Sequence, residues 1–232
     1  MTVLVVGASG ATGSKLVEQL LSNKHSVKAI VRSPEKLPDA WKNNANLQII
    51  SASLLELSDK EISEIISDCE AVASCLGHNL TFKGVYGKPR RLVTDATRRL
   101  CNAIESNYPK NPVKYVLMNT TGNRNRDLNE PISFAQKFVI GLLRLLLPPH
   151  VDNEKAADYL RTEIGQNHPV VEWVAVRPDG LINEDKVTDY EIHQSPTRSA
   201  IFSAGKVSRI NVGHFMASLI TEDDLWTKWK GQ

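Results

Sequence analysis

The feature that most constrains this chain is an apolar run at residues 3–6 that passes directly into Gly7, Gly10 and Gly13. A short continuous apolar run is typical of a strand buried on both faces, and residues 13–21 continue with apolar positions at helical spacing. In such a strand–turn–helix unit the first glycine permits a tight turn and the second a close approach to a ligand. The third lets the helix pack tightly on the sheet. The sequence therefore predicts a phosphate-binding turn, because the first N–H groups of a helix have no partner within it.

Short β-branched runs alternate with helical patterns along the rest of the chain. The runs predict strands at residues 3–6, 27–31, 47–50, 71–76, 113–118 and 171–176. Apolar spacing predicts helices at 13–21, 62–66, 92–104, 156–164 and 211–220. This alternation predicts a Rossmann-type α/β fold, a doubly wound parallel sheet built as a single domain of residues 1–232. Residues 122–150 are too long for a tight connection. We expect an extra helix there, over the C-terminal ends of the strands, as a substrate or lid segment.

Composition argues against several classes of protein. A net charge of +2, spread along the chain, gives no reason to expect nucleic acid as a partner. Three cysteines without a CxxC motif, and six histidines without metal spacing, indicate neither disulfides nor a metal site. The longest apolar stretch, residues 138–147, is too short to span a bilayer, and the N-terminal run is unlike a signal peptide. We expect a cytoplasmic protein, a monomer or homodimer, whose partner is a small molecule.

The end of the second predicted strand indicates which dinucleotide binds. An NAD(H) site usually carries an acid there, which accepts hydrogen bonds from the ribose 2′-OH. This chain has Arg32, and the first acid is Glu35. A guanidinium can stack on adenine and pair with a 2′-phosphate, so we expect NADP(H) rather than NAD(H). The alternative is an ordinary solvated arginine. Within the glycine turn, Ser9, Ala11 and Thr12 are expected to meet the phosphates.

With these residues in place, the chain resembles the atypical short-chain dehydrogenases/reductases. More narrowly, it is similar to the NAD(P)-binding group that includes biliverdin-IXβ reductase/flavin reductase and the NmrA-like proteins. The resemblance covers nearly the whole chain. It is carried by Gly-Ala-Ser-Gly-Ala-Thr-Gly at 7–13, Ile-Val-Arg-Ser at 30–33, Cys-Leu-Gly at 75–77, Asn-Thr-Thr at 119–121, Val-Arg-Pro at 176–178 and Val-Gly-His-Phe-Met at 212–216.

The resemblance implies a row of cofactor contacts at the ends of the strands. From adenine to nicotinamide they are Ser53, Leu54, Leu76, Gly77, Thr120, Thr121, Lys155, Pro178, Leu181 and Ile182. Thr121 ends the fifth strand, where the wider family places its catalytic serine. Lys155 falls where the family's active-site lysine holds the nicotinamide ribose. Thr121 and Lys155 are therefore the predicted catalytic residues.

One departure from the family pattern bears directly on the reaction. The family's acid is a tyrosine four residues before the lysine, and that position is Val151 here. Tyr159 follows Lys155 by four residues, in the wrong direction to replace it. A standard alcohol-to-ketone mechanism is therefore not expected. The biliverdin/flavin reductase group also lacks the tyrosine, and there the protein mainly positions the hydride donor.

Two functions follow from that departure. The first is an NADPH-dependent oxidoreductase that reduces a small planar acceptor such as a flavin, a quinone or a tetrapyrrole-like compound. The alternative is a non-catalytic NADP(H)-binding redox sensor or regulator of the NmrA-like type. A nucleotide-sugar epimerase or dehydratase fits less well, because it needs the intact Tyr/Lys pair and a larger C-terminal domain.

Four other features allow more than one interpretation. The apolar segment 134–149 is a lid over the nicotinamide, a dimer or membrane-surface face, or a helix packed into the core, and we weigh the core helix at least equal to the others together. The basic side chains Lys88, Arg90, Arg91, Arg98 and Arg99 favour a solvated helix face, and Arg124 and Arg126 are better placed to meet an anionic substrate. His78 is a candidate proton donor, although a histidine in such a position more often lies on the surface or caps a helix. Cys75 is expected to be buried and inert.

Overall fold

The computed structural model of the protein describes residues 1–79, 81–128, 130 and 132–232, and only the backbone of Lys83. Its centre is a six-stranded sheet in which every pair of neighbouring strands is parallel. The strand order is β3-β2-β1-β4-β5-β6. In chain order the strands are β1 (Thr2–Val6), β2 (Ser26–Val31), β3 (Leu47–Ser51), β4 (Ala71–Ser74), β5 (Val113–Met118) and β6 (Val171–Val176). The predicted Rossmann-type, doubly wound sheet is thereby confirmed, and its order reverses between β1 and β4.

Helices cover both faces of this sheet. In chain order they are α1 (Gly13–Ser22), α2 (Asp39–Lys42), α3 (Asp59–Ile66), α4 (Phe82–Tyr86), α5 (Leu92–Asn107), α6 (Phe134–Leu146), α7 (Pro148–Tyr159), α8 (Arg209–Thr221) and α9 (Asp223–Trp229). A 3₁₀ turn spans Pro34–Lys36, and a π-helical turn, Leu160–Ile164, extends α7. Two short strands, β7 (Gly180–Ile182) and β8 (Lys206–Ser208), pair in parallel outside the main sheet.

The alternation of side chains along β1 assigns each face its own core. Val3 and Val5 belong to a cluster that includes buried residues of α1, α8 and α9. Leu4 and Val6 belong to a second cluster, which includes buried residues of α3, α5 and α7. Successive side chains of a strand point to opposite faces, so a wholly apolar strand must be covered on both sides. The continuous apolar run of β1 thus accounts for the two helical layers.

The C-terminal residues cover the open edge of β6. Gly231 N–H donates to the Trp173 carbonyl (2.7 Å), and Ala175 N–H donates to the Gln232 carbonyl (2.6 Å). Glu172 on β6 accepts hydrogen bonds from Trp226 Nε1 and Lys230 Nζ, each at 2.6 Å. The bonds of Gly231 and Gln232 satisfy backbone groups of β6 that an exposed edge strand would leave unpaired.

Three predicted boundaries or environments differ from the structure. β4 ends at Ser74, two residues before the predicted end. The expected extra helix is present as α6, but Pro148-Pro149 begins α7 directly after it, because proline is compatible with the first turn of a helix. The interpretation of this segment as a helix packed into the core was wrong. Ile140 is the buried residue of α6, and most of the large apolar side chains of α6 are exposed. Within the described ranges, no helix combines the length and apolar character needed to cross a membrane.

We predict that Gly213→Ala destabilises the fold by forcing α8 away from α1. A Cβ atom at Gly213 would lie 2.8 Å from the backbone nitrogen of Leu16. Overpacking of this kind costs about 1–3 kcal/mol in the free energy of unfolding, measurable by urea denaturation. Gly141→Ala on α6 is the matched control, because a Cβ there meets nothing within 4 Å and alanine favours a helix. An equal effect of the two substitutions would contradict the packing argument.

Candidate functional site

The turn after β1 is built so tightly that glycine is required at its first position. Gly7 has a φ of +75°, and its carbonyl accepts a hydrogen bond from Gly10 N–H at 2.9 Å. A Cβ atom at Gly7 would lie 2.5 Å from the carbonyl oxygen of Cys75, just beyond β4. A side chain at this position would therefore strain the backbone and push β1 and β4 apart.

The same turn presents free donors to solvent. A Cβ atom at Gly13 would collide with the Gly7 carbonyl oxygen, so α1 begins directly against the turn. Ser9, Gly10 and Ala11 are exposed, and the first turn of α1 carries no acidic residue. Among the described residues, no acceptor is found for the N–H groups of Ser9 and Ala11. An exposed helix start with unpaired N–H groups and no acid suits an anion such as a phosphate.

The neighbouring strand ends extend this site in one direction. The register pairs Val6 with Ile30 and Val31 with Ser51, so the carboxyl ends of β1, β2 and β3 lie side by side. Arg32 follows β2 directly, and its side chain is exposed and makes no ion pair with any described residue. A cation held free at this edge is available to a ligand that also carries negative charge.

The two adenine contacts expected after β3 differ in accessibility. Ser53 is half-buried, and its carbonyl accepts a hydrogen bond from Glu56 N–H at 2.9 Å. Leu54 is buried in the core, with its carbonyl bonded to Arg99 Nη1 at 3.0 Å. The Leu54 side chain therefore belongs to the fold, whereas Ser53 stays accessible at the edge of the site.

The ends of β4, β5 and β6 extend the site in the other direction. Beyond β4, Leu76 is half-buried and Gly77 is exposed. The N–H and the hydroxyl of Thr121 both reach the Pro178 carbonyl, at 3.2 and 3.4 Å. Asn119 donates from Nδ2 to the Asn153 carbonyl at 3.1 Å, which ties the end of β5 to α7. These bonds hold the predicted nicotinamide contacts Thr121 and Pro178 beside each other.

A cavity of about 450 Å³ opens beside Thr121 and Pro178. Ile182 and most of the loop between β7 and β8 line it, together with residues of α8. A lid over the nicotinamide was one of three interpretations of segment 134–149, and none of the segment's described residues lines this cavity. Sequence reasoning missed Glu184 and residues 188–198, whose signal was a long stretch without strand or helix periodicity between β7 and β8.

Hydrogen bonds to α8 hold this loop in place. Tyr190 lines the cavity, and its hydroxyl lies 2.7 Å from Nδ1 of His214. Burial, and to a lesser degree the charge of Glu222, raises the pKa of Tyr190. Oδ1 of Asn211 accepts a hydrogen bond from the backbone N–H of Thr188 (3.0 Å), and Nδ2 of Asn211 donates one to the Thr188 hydroxyl (2.9 Å). The cavity wall is therefore an ordered surface that carries a protonated phenol.

Two other predicted residues lie apart from the cavity. Lys155 is exposed on α7, and no described residue bonds its ammonium group. Leu181 lies in β7, and its carbonyl accepts from Arg209 Nη1 at 3.3 Å. Tyr159 packs toward α5, with its hydroxyl 3.4 Å from Oδ1 of Asn102, and burial raises its pKa. Tyr159 therefore lies outside the cavity.

His78 is a structural residue in a buried hydrogen-bond network. Its Nε2 lies 2.8 Å from Oδ2 of Asp152, and its Nδ1 lies 3.2 Å from the Gly84 carbonyl. The Asp152 carboxylate also accepts from the N–H groups of Val93 (2.8 Å) and Thr94 (3.0 Å), so it caps α5 from α7. Both ring nitrogens of His78 face acceptors and its side chain is 5% exposed, which argues against the proton-donor interpretation.

The remaining charged and cysteine residues make structural contacts. Arg124 Nη2 donates to the Glu130 carbonyl at 2.6 Å, and Arg126 pairs with Asp158 at 3.1 Å, while both side chains are exposed. Arg99 bonds Asp59, whereas Lys88 and Arg90 are exposed. The three cysteines are buried, and burial raises the pKa of Cys75 to about 12, as expected of an inert thiol. Among the described residues, no cluster of His, Cys, Asp and Glu suits a metal ion.

The comparison with known families shows to which family the chain belongs. A family model described as NAD(P)H-binding matches residues 7–223, from the first glycine of the turn to the start of α9. The chain belongs to this NAD(P)H-binding family. An uncharacterized chloroplastic protein of Arabidopsis thaliana is 31% identical over 182 residues, which are 78% of this chain. The match spans 60% of the length of that relative.

Solved structures of other members of this fold are similar over almost the whole chain. A short-chain dehydrogenase/reductase (wide type) of Veillonella parvula, in complex with NADP, has a TM-score of 0.70 at 15% identity, covering 100% of this chain and 91% of that one. An anaerobilin reductase of Escherichia coli O157:H7 has a TM-score of 0.59 at 17% identity, covering 96% and 91%. A candidate NADH-flavin reductase of Streptococcus pneumoniae has a TM-score of 0.64 at 17% identity, covering 96% of this chain and 93% of that one. At these identities the similarity shows the fold alone.

We predict that Asp152→Asn destabilises the protein by about 2–3 kcal/mol, the usual worth of hydrogen bonds to a charged group. The amide loses the charge that caps α5, and its NH₂ group turns a donor toward groups that are themselves donors. Asp158→Asn is the matched control on the same helix, because its carboxylate makes only partly exposed ion pairs with Arg126 and Arg161. That change should stay within about 1 kcal/mol. Equal urea midpoints for wild type and Asp152→Asn would refute the capping role.

Proposed function

We propose that this protein is an NADPH-dependent reductase of a small planar acceptor, such as a flavin, a quinone or a tetrapyrrole-like compound. The observation that carries the proposal is the open cavity of about 450 Å³ beside Thr121 and Pro178. A binding protein that only senses the cofactor has no need of an empty space at the nicotinamide end of the site. A reductase needs that space, because the acceptor must lie next to the hydride donor.

The orientation of the cofactor in this proposal follows the strand ends. The pyrophosphate lies on the turn from Gly7 to Gly13, where unpaired N–H groups meet solvent. The adenine ribose lies toward Arg32 and Ser53, and the nicotinamide lies toward Leu76, Gly77 and Thr120. In this proposed orientation the nicotinamide would lie on the side of Thr121 and Pro178, which line the cavity. When bound, the cofactor supplies the hydride, and the protein supplies orientation and electrostatics.

The chain's own residues complete the proposed reaction. Thr121 contacts the nicotinamide or the acceptor from the end of β5. Tyr190 brings a phenol to the cavity wall, and its hydrogen bond to His214 offers a route for replacing the proton that the phenol donates. The role of Lys155 on the nicotinamide ribose, and those of Pro178 and Leu181 beside the ring, stay predictions carried by the family resemblance.

The name of the Arabidopsis relative describes that protein as chloroplastic. Cytoplasmic location, and a monomeric or homodimeric state, stay predictions for this chain.

We predict that Arg32→Ala weakens NADPH binding by about 10- to 100-fold, because a charge-assisted pair with the 2′-phosphate is lost. NADH binding should be nearly unchanged, so the preference shifts toward NADH. The measurement is a fluorescence titration of wild type and variant with each cofactor. Arg90→Ala is the matched control, since it removes an exposed arginine far from β2 and should leave both titrations unchanged. A wild type that binds neither cofactor would overturn the proposal as a whole.

We predict that the protein oxidises NADPH in the presence of FMN or simple quinones, and that Tyr190→Phe lowers kcat by about 100-fold with acceptors that need a proton. Tyr159→Phe is the matched control, because it removes a similarly buried phenol outside the cavity. NADPH binding should be the same in both variants. Tight binding of NADPH without turnover on any acceptor would favour the redox-sensor alternative, and equal rates in the two variants would remove Tyr190 from the reaction.

A further inference from the structure

Exposed apolar side chains concentrate on α4 and α6. Of the twelve large hydrophobic side chains that are exposed among the described residues, eight form what we call the apolar face: Phe82, Tyr86, Phe134, Phe138, Leu142, Leu145, Leu146 and Leu147. Phe134 is 87% exposed, and Phe82 is 81% exposed. A contiguous apolar surface of this kind marks a site of interaction, whereas single exposed hydrophobic residues need no explanation.

The two helices present these side chains together. On α6, positions 134, 138, 142 and 145 follow helical spacing and share one side, while Ile140 on the other side is buried. The Tyr86 hydroxyl donates to the Leu146 carbonyl at 3.0 Å, which joins α4 to the C-terminal end of α6. Arg144 makes two bonds of 2.9 Å to Glu154 and fastens α6 to α7. Buried Ile140 and the Arg144–Glu154 pair hold the other side of α6 against the protein, so the apolar face is turned outward.

The surroundings of the apolar face are basic. Residues 79–94 contain four Lys or Arg, residues 132–151 contain two, and neither segment contains Asp or Glu. Lys88, Arg90 and Lys137 are exposed and form no ion pair with any described residue. An amphipathic helix with Phe and Leu on one side and flanking Lys and Arg is typical of segments that lie in the interface of an anionic bilayer.

We propose that the apolar face docks the protein on the surface of an anionic lipid bilayer. Phe and Leu side chains enter the boundary of the acyl chains, and Lys88, Arg90 and Lys137 meet the headgroups. Charge also argues against a second copy of this chain as the occupant. A two-fold dimer brings the same patch against itself, so the basic side chains of one copy would oppose those of the other without acidic partners. Nothing in this proposal depends on the reaction proposed above.

The test is flotation of the full chain with two kinds of vesicle, phosphatidylcholine alone and phosphatidylcholine mixed with phosphatidylglycerol. Binding to the anionic vesicles, weakened by salt, is the expected result. Phe138→Ser should weaken it by about tenfold, as loss of one buried aromatic side chain predicts. Phe202→Ser is the matched control, because Phe202 is 60% exposed against 65% for Phe138 and lies outside the apolar face.

The basic residues have a test of their own. Arg90→Gln should weaken binding to the anionic vesicles by about fivefold, and Lys186→Gln, an exposed lysine in the loop after β7, should leave it unchanged. Unfolding midpoints and NADPH titrations of the four variants should match those of wild type, since all four side chains are exposed. Absence of vesicle binding would overturn the proposal, as would equal losses in Phe138→Ser and Phe202→Ser. A lipid-independent dimer that Phe138→Ser dissociates would assign the face to a second copy instead.

Discussion

The steric contact between the turn after β1 and the end of β4 is the constraint on which the rest of this structure depends. Gly7 lies so close to the Cys75 carbonyl that no side chain fits, and Gly13 lies equally close to Gly7. Because both contacts require glycine, α1 begins at the point where the strand order reverses. The N–H groups of Ser9 and Ala11, which have no acceptor among the described residues, thereby lie in the turn at this point, where open parallel sheets form a crevice. Helix α8 packs closely on α1, because Gly213 lies against the backbone of α1 at Leu16.

The two ends of the crevice are organised by different kinds of interaction. Toward β3, an exposed and unpaired Arg32 leaves positive charge available to a ligand. Toward β6, hydrogen bonds from Thr121 to the Pro178 carbonyl hold two strand ends together beside a cavity. Behind these strand ends, the buried Asp152 carboxylate caps α5 and binds His78. A buried charge of this kind is tolerated only because several donors surround it.

The strands and the glycine turn after β1 were predictable, whereas the elements around the cavity were not. Continuous apolar runs such as β1 identify buried strands locally, and the glycine spacing at residues 7–13 has a direct steric meaning. Residues 134–149 are as apolar as a core helix, and periodicity cannot say whether such a face meets the core or solvent. Nor does periodicity show which loop returns to line a cavity, as Glu184 and residues 188–198 do here. His78 lies beyond β4, and its partner Asp152 lies 74 residues away along the chain.

By itself, the sequence determined the order of strands and helices, the glycine turn after β1 and the arginine after β2, because each depends on residues close together in the chain. Tertiary structure alone decided which side of α6 is exposed, which loop lines the cavity and whether Lys155 lies near it. It also decided that His78 and Tyr159 serve the fold, because their partners come from distant helices. The physical reason is the same in each case. Backbone geometry and helical periodicity act over a few residues, while burial and hydrogen-bond partners depend on how whole layers pack.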